Sequence, residues 1–173
     1  MTERDRLARF ETALLPHLDA AYDLARWLTR DDRDADDVVQ ESYLRALRYV
    51  DGLRGDDGRA WLLTIVRRTC YTWRARRGVQ EVATADADDA PDDAAPTPEA
   101  LLIQRADRDL VRGAIAALPL EFREVLVLRE LEDLSYKEIA AVIEIPLGTV
   151  MSRLARARER LHRELGRRLS RGG

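Results

Sequence analysis

One cysteine, two histidines and a single lysine leave several chemistries without their residues. Cys70 alone gives no intramolecular disulfide and no cysteine-rich metal set, which points to a reducing compartment. It reads as a small buried hydrophobe on a helix rather than a redox sensor. His17 and His162 stand apart from any ligand set, so neither metal nor cofactor is expected. No nucleophile–base pair and no phosphate loop is present, which argues against an enzyme. No run approaches 18 apolar residues and the N-terminus is charged, predicting neither a membrane span nor a signal peptide, and hence a cytoplasmic protein. Period-2 alternation is missing too. Ala, Leu, Arg and Glu dominate, and the chain is expected to be all-α.

Net charge is also scarce. The 29 basic and 32 acidic residues sum to −3, which implies little unaided attraction for nucleic acid phosphates. The distribution is uneven. Residues 79–100 carry seven acids and no base, with three prolines, and predict a flexible acidic linker. Such a coil spans roughly 25–30 Å when relaxed. It separates a first domain, 1–78, from a second, 101–173. From Leu147 to the end there are eight basic groups against two acidic. Lys137 is the only lysine; the arginine excess suits bidentate recognition and equally suits a GC-rich coding bias.

The most informative stretch is Ser135–Leu161. Ser135 and Glu138 have capping-box spacing, and Tyr136, Ile139, Ala140 and Ile143 line one helical face. Pro146 suits the start of a second helix, which turns Leu147, Val150, Leu154, Ala157 and Leu161 inward. Its other face carries Thr149, Ser152, Arg153, Arg156, Arg160 and Arg163. This is the pattern of a helix-turn-helix offering hydroxyls and arginines to a DNA groove.

The first domain divides into helices over about Asp5–Leu15, His17–Thr29, Asp34–Tyr49 and Arg59–Arg77. Phe10, Leu14, Leu18, Tyr22, Ala25 and Leu28 are expected inward on the first two. Val39, Tyr43, Ala46, Leu47 and Val50 form the third helix's core stripe. A separate stripe of Asp37, Gln40, Glu41, Leu44 and Arg48 lies off it. Taken alone, that stripe is either a solvated face with one stray leucine or a docking face for a basic partner. On the fourth helix Leu62, Ile65, Val66, Thr69 and Trp73 fit a core. Its arginines and aromatics suit melted nucleic acid, or, for the arginines at its end, the helix dipole. In the second domain, helices are expected over Pro98–Ala117 and Glu121–Glu130, the latter packing Phe122, Val125 and Leu126.

Two motifs in this order resemble a known family. DADDVVQESYLRA with AWLLTIVRRTCYTWRARR, and then ALPLEFREVLVLRELEDLSYKEIAAVIEIPLGTVMSRLARARERL, are similar to domains 2 and 4 of the group 4, extracytoplasmic-function (ECF) sigma factors of the sigma-70 family. The resemblance covers about residues 10–78 and 100–165. It implies that Asp37, Gln40, Glu41 and Leu44 bind the clamp helices of the RNA polymerase β′ subunit, favouring the docking reading of that stripe. It places −10 DNA capture in the loop Asp51–Gly58 and the following helix, with Arg54, Arg67, Arg68, Tyr71, Arg74 and Arg77 as candidates. It places the −35 element against Thr149, Ser152, Arg153, Ala155 and Arg156. Expected partners are core polymerase (β′ clamp helices and β flap), promoter DNA and an anti-sigma factor. The acidic linker is either a segment for the polymerase's RNA channel or a plain tether. The chain departs from the family pattern at Arg68 for Asn, Thr72 for Asp, Met151 for a cation, Ala155 for a larger side chain and Glu144 for the turn glycine. Two other readings fit a lone helix-turn-helix: a self-sufficient LuxR-like regulator, and a helical interaction module that never meets DNA.

Overall fold

The computed structural model describes residues 1–55, 57–78 and 108–171. The linker expected at 79–100, and the start of the helix expected over Pro98–Ala117, lie outside the described residues. Every regular element among those described is helical. By contact they form two compact units. One holds the described residues up to 78 with Lys137–Ile145; the other runs from 108 to Tyr136 and resumes at Pro146.

The first unit begins with α1 (Glu3–Ala13). Its start is fixed by a reciprocal cap: the Thr2 hydroxyl accepts from the Asp5 N–H and the Asp5 carboxylate accepts from the Thr2 N–H, both at 3.1 Å. Pro16 falls in a short 3-10 turn, Leu15–His17, before α2 (Leu18–Thr29). Arg30 ends α2 in the left-handed region at φ 60°. Asp31 then caps α3 (Asp32–Arg48), accepting from the N–H groups of Arg33 and Asp34. That cap starts the helix two residues before the expected Asp34. After the loop at 51–58 comes α4 (Arg59–Arg76).

Helices α2, α3 and α4 pack mutually. Ala21 and Ala25 on α2, and Ala35, Ser42 and Ala46 on α3, are buried and small enough for close approach of the backbones. Leu24, Leu28, Val38, Val39, Val50, Leu62, Leu63 and Val66 fill the centre. Leu18 is not inward as expected but 43% exposed: it opens α2 before the helix reaches the core. The buried arc of α4 is wider and rotated relative to expectation. It takes in Leu63, Cys70 and Arg74 and leaves Ile65 and Trp73 half-buried, because α4 is covered by both α2 and α3.

The N-terminal segment is tied across this bundle. Phe10 meets the Tyr43 ring edge-on at 5.8 Å, and the Tyr43 hydroxyl donates to the Leu14 carbonyl at 2.9 Å. Burial, reinforced by the Asp19 carboxylate, pushes the Tyr43 hydroxyl up to about 12, so it stays a donor across physiological pH. Gly58 is where the segment comes closest. A Cβ there would lie 2.5 Å from Leu14 Cδ2 and 2.8 Å from the Ala13 carbonyl oxygen. Because part of that obstruction is backbone, Gly58→Ala is expected to cost about 1–2 kcal/mol of stability, read by chemical denaturation.

The second unit contains α5 (Arg108–Ala116), α6 (Leu120–Leu126) and α8 (Leu147–Arg171). A π turn at Val127–Leu131 extends α6. Phe122, Val125 and Leu126 are buried as expected, and α8 lies against both α5 and α6 through Val150, Leu154, Ala157, Leu161 and Leu165. α7 (Tyr136–Ile143), grouped from Lys137 on with the first unit, buries Ile139, Val142 and Ile143. The turn from α7 to α8 passes through Glu144 at φ 59°, a left-handed conformation that costs an L-residue roughly 1–2 kcal/mol. Leu147, expected inward, is 41% exposed at the first turn of α8.

Candidate nucleic-acid and partner interfaces

Three surfaces carry the candidate residues. On α3, the core side is Ala35, Val38, Val39, Ser42 and Ala46. Asp37, Gln40 and Leu44 lie exposed on another face, with Glu41 half-buried beside them. Leu44 is 69% exposed, more than any other large apolar side chain in the described residues. Glu41 is held by Arg45 one turn on, at 2.7 Å. The stripe is therefore a coherent acidic strip with an apolar centre.

The second surface is the loop after α3 together with α4. Arg54 is exposed in the loop. The Arg67 guanidinium lies over the Tyr71 ring at 4.3 Å, and that of Arg77 over Trp73 at 4.8 Å. Arg77 is also 3.4 Å from Asp34. Such stacking holds planar groups in fixed orientation at modest cost. Arg68 is exposed and ion-paired with Glu144.

Arg74 departs from its expected role. It is 6% exposed and donates from Nη1 to the Leu28 carbonyl at 3.1 Å, near the end of α2. Helix ends leave carbonyls without intrahelical donors, and Arg74 supplies one from a neighbouring helix. It is a structural cap and is withdrawn from the DNA-facing set. Arg74→Ala is expected to lower stability by about 2 kcal/mol. Thermal denaturation checks this; an unchanged midpoint would restore Arg74 to the surface set.

The third surface is the N-terminal half of α8. Ser152, Ala155 and Arg156 are exposed, and Thr149 and Arg153 half-exposed. The Ser152 hydroxyl donates to the Thr149 carbonyl at 3.2 Å. Met151 is 53% exposed beside them. Further along, Arg158 pairs with Glu130 at 3.0 Å and Arg160 lies over Phe122 at 4.9 Å. These two hold α8 to its own unit. Sequence patterning had grouped Arg160 with the solvent-facing arginines; the aromatic beneath it, 38 positions earlier, was not legible from helical spacing.

An acid-and-leucine strip on α3, stacked arginines on α4 and the helix-turn-helix of α7 and α8 together make the pattern of a multi-point DNA-binding transcription factor. Comparison with known proteins specifies it. The family description "Sigma-70 region 2" matches residues 14–79 and "Sigma-70, region 4" matches residues 108–161. The ECF RNA polymerase sigma-E factor of Salmonella typhimurium is 38% identical over 135 residues, covering 73% of this chain and 71% of the relative. The ECF RNA polymerase sigma factor SigE of Mycolicibacterium smegmatis is 36% identical over 157 residues, covering 89% and 60%. Among solved structures, the sigma factor RpoE in complex with the anti-sigma factor NepR, from Bartonella quintana, superposes with a TM-score of 0.67 at 27% identity, covering 88% of this chain and 94% of that one. CnrH in complex with the cytosolic domain of CnrY gives 0.62 at 25%, covering 95% and 89%.

The chain belongs to the ECF sigma factors of the sigma-70 family. It directs RNA polymerase to specific promoters and is an initiation factor, not an enzyme. Both sigma regions in one chain displace the self-sufficient regulator and the DNA-free interaction module. No helix among the described residues is long and apolar enough to cross a membrane.

Proposed function

We propose that the three surfaces divide the work of initiation. The α3 strip of Asp37, Gln40, Glu41 and Leu44 docks on the β′ clamp helices of core polymerase. The 51–58 loop and α4, through Arg54, Arg67, Arg68, Tyr71 and Arg77, capture and help melt the −10 element. Thr149, Ser152, Arg153, Ala155 and Arg156 on α8 meet the −35 element in the major groove. Residues 1–78 act as domain 2 and 101–173 as domain 4, with the acidic stretch 79–100 joining them and domain 4 resting near the β flap. The observation that carries this reading is Leu44: a leucine this exposed, on a strip with Asp37, Gln40 and Glu41 and away from the packed helix face, has no role in the fold itself.

The surface chemistry supports a division of labour. A net charge of −3 gives weak affinity for DNA alone, so tight promoter binding requires polymerase. Met151 and Ala155 supply no hydrogen bond to a base edge, so α8 positions more than it discriminates. On this reading the protein works in the cytoplasm, alongside polymerase. Since the similar RpoE was solved in complex with an anti-sigma factor, an anti-sigma partner that covers these polymerase-facing surfaces is part of the proposal. The test is run-off transcription by core polymerase with and without the protein. Promoter-specific transcripts should depend on it; transcripts that do not would overturn the reading.

A further inference from the structure

Two arginines of α1, one turn apart, reach across to the backbone that leads into and through the 51–58 loop. Arg6 Nη2 donates to the carbonyls of Leu47 and Arg48, at 3.1 and 2.9 Å. These are at the C-terminal end of α3, where carbonyls lack intrahelical donors. Arg6 Nε also sits 3.2 Å from the Asp51 carboxylate. Arg9 Nη2 donates to the Leu53 carbonyl and, at 3.3 Å, to that of Gly55. Leu53 is buried and Arg54 is exposed. One guanidinium therefore grips the two carbonyls that flank Arg54.

Among the described residues, the backbone bonds that Asp51–Gly55 make with other backbone are the two 3-10 contacts Gly52 N–H to Tyr49 and Leu53 N–H to Val50. Gly55 sits at φ 80°, a conformation accessible without strain only to glycine. A loop so built depends on outside groups for its shape. The fork geometry of arginine suits it to two acceptors at once, where lysine offers a point charge.

We propose that Arg9, backed by Arg6, is a specificity-positioning residue: it fixes the loop backbone so that Arg54 meets the −10 DNA in one orientation. This rests on the assignment of the loop to −10 capture. Neither arginine touches DNA in this account; both act through the loop. Affinity for core polymerase, which belongs to the α3 strip, is outside their reach.

The test uses the full chain in holoenzyme and compares run-off from a cognate promoter with run-off from a panel of single-base −10 variants. Arg9→Met is expected to reduce discrimination across that panel about fivefold or more, with core binding within twofold of wild type. Arg54→Ala should reduce it similarly, and the double variant should be no worse than either single, because each removes the same positioned contact. Arg9→Lys, which keeps the charge and folds even if the methionine variant does not, should fall between wild type and Arg54→Ala. Wild-type discrimination in Arg9→Met or Arg9→Lys, or losses in Arg9 and Arg54 that multiply, would overturn the proposal. If wild-type protein itself directs no promoter-specific run-off, the initiation-factor reading fails first and takes this one with it.

Discussion

Replacing Leu44 with aspartate is expected to weaken binding to core polymerase on the order of 100-fold while leaving the fold intact. The side chain is 69% exposed and shares α3 with a separate, closed core face, so the free protein loses almost nothing by the change. Surface substitutions of this kind shift stability by about 0.5 kcal/mol at most. In the complex the balance differs. Full burial of a leucine contributes about 1.5–3 kcal/mol, and an aspartate in its place would have to be desolvated beside Asp37 and Glu41. Since each 1.4 kcal/mol or so is tenfold in affinity, two decades is the natural scale. A fluorescence titration with core enzyme measures it, with circular dichroism as the check on folding. Wild-type affinity in Leu44→Asp would remove α3 from the docking surface.

The second large effect is expected from a residue with no surface at all. Arg123 on α6 is fully buried and donates from Nη1 to the Leu118 carbonyl at 2.8 Å and the Ala116 carbonyl at 3.4 Å, closing the end of α5. Arg123→Ala removes the donor, leaves those carbonyls short of a partner and opens a void along the aliphatic stem. Loss of hydrogen bonds from a charged donor costs about 1.5–3 kcal/mol, and the void left by the side chain adds the cost of a large-to-small core change. α5 depends on its tertiary packing, since helices owe most of their stability to the face they bury. Thermal melting should show the second unit unfolding early, and −35 binding should be lost with it, while core binding through α3 survives. A midpoint within about 2 °C of wild type would show the cap to be dispensable. Arg123→Lys should retain part of the stability, since an ammonium reaches one carbonyl well but not a pair.

Much of this architecture was legible in the chain itself, because amphipathic periodicity and caps are local signals. α6 and α8 buried the apolar residues that helical spacing selects, except at the first turn of α8. The α3 strip could be drawn from sequence, yet its meaning could not: one leucine among acids has the same spelling whether or not a partner covers it. What stayed hidden was long-range. Arg74 looked like one more member of a cationic helix end, and only its 46-residue reach to Leu28 reveals a cap. Arg6 and Arg9 bond to residues 41–46 positions away, and no pattern on α1 announces that. Arginines defeat pattern reading for a physical reason. Their long apolar stems and forked heads serve solvent, rings, carbonyls and phosphates equally well.

Cys70, fully buried on α4, has a practical corollary. A sulfur sealed from solvent reacts poorly with maleimides and oxidants alike, so the exterior of the protein is chemically blank to thiol reagents. A single cysteine placed at an exposed position near Leu44 or near Arg156, but outside the contact residues themselves, would then be the one addressable point on the molecule. Dyes at those two positions would let the polymerase grip and the −35 grip be watched separately, in real time, as a transcription complex assembles.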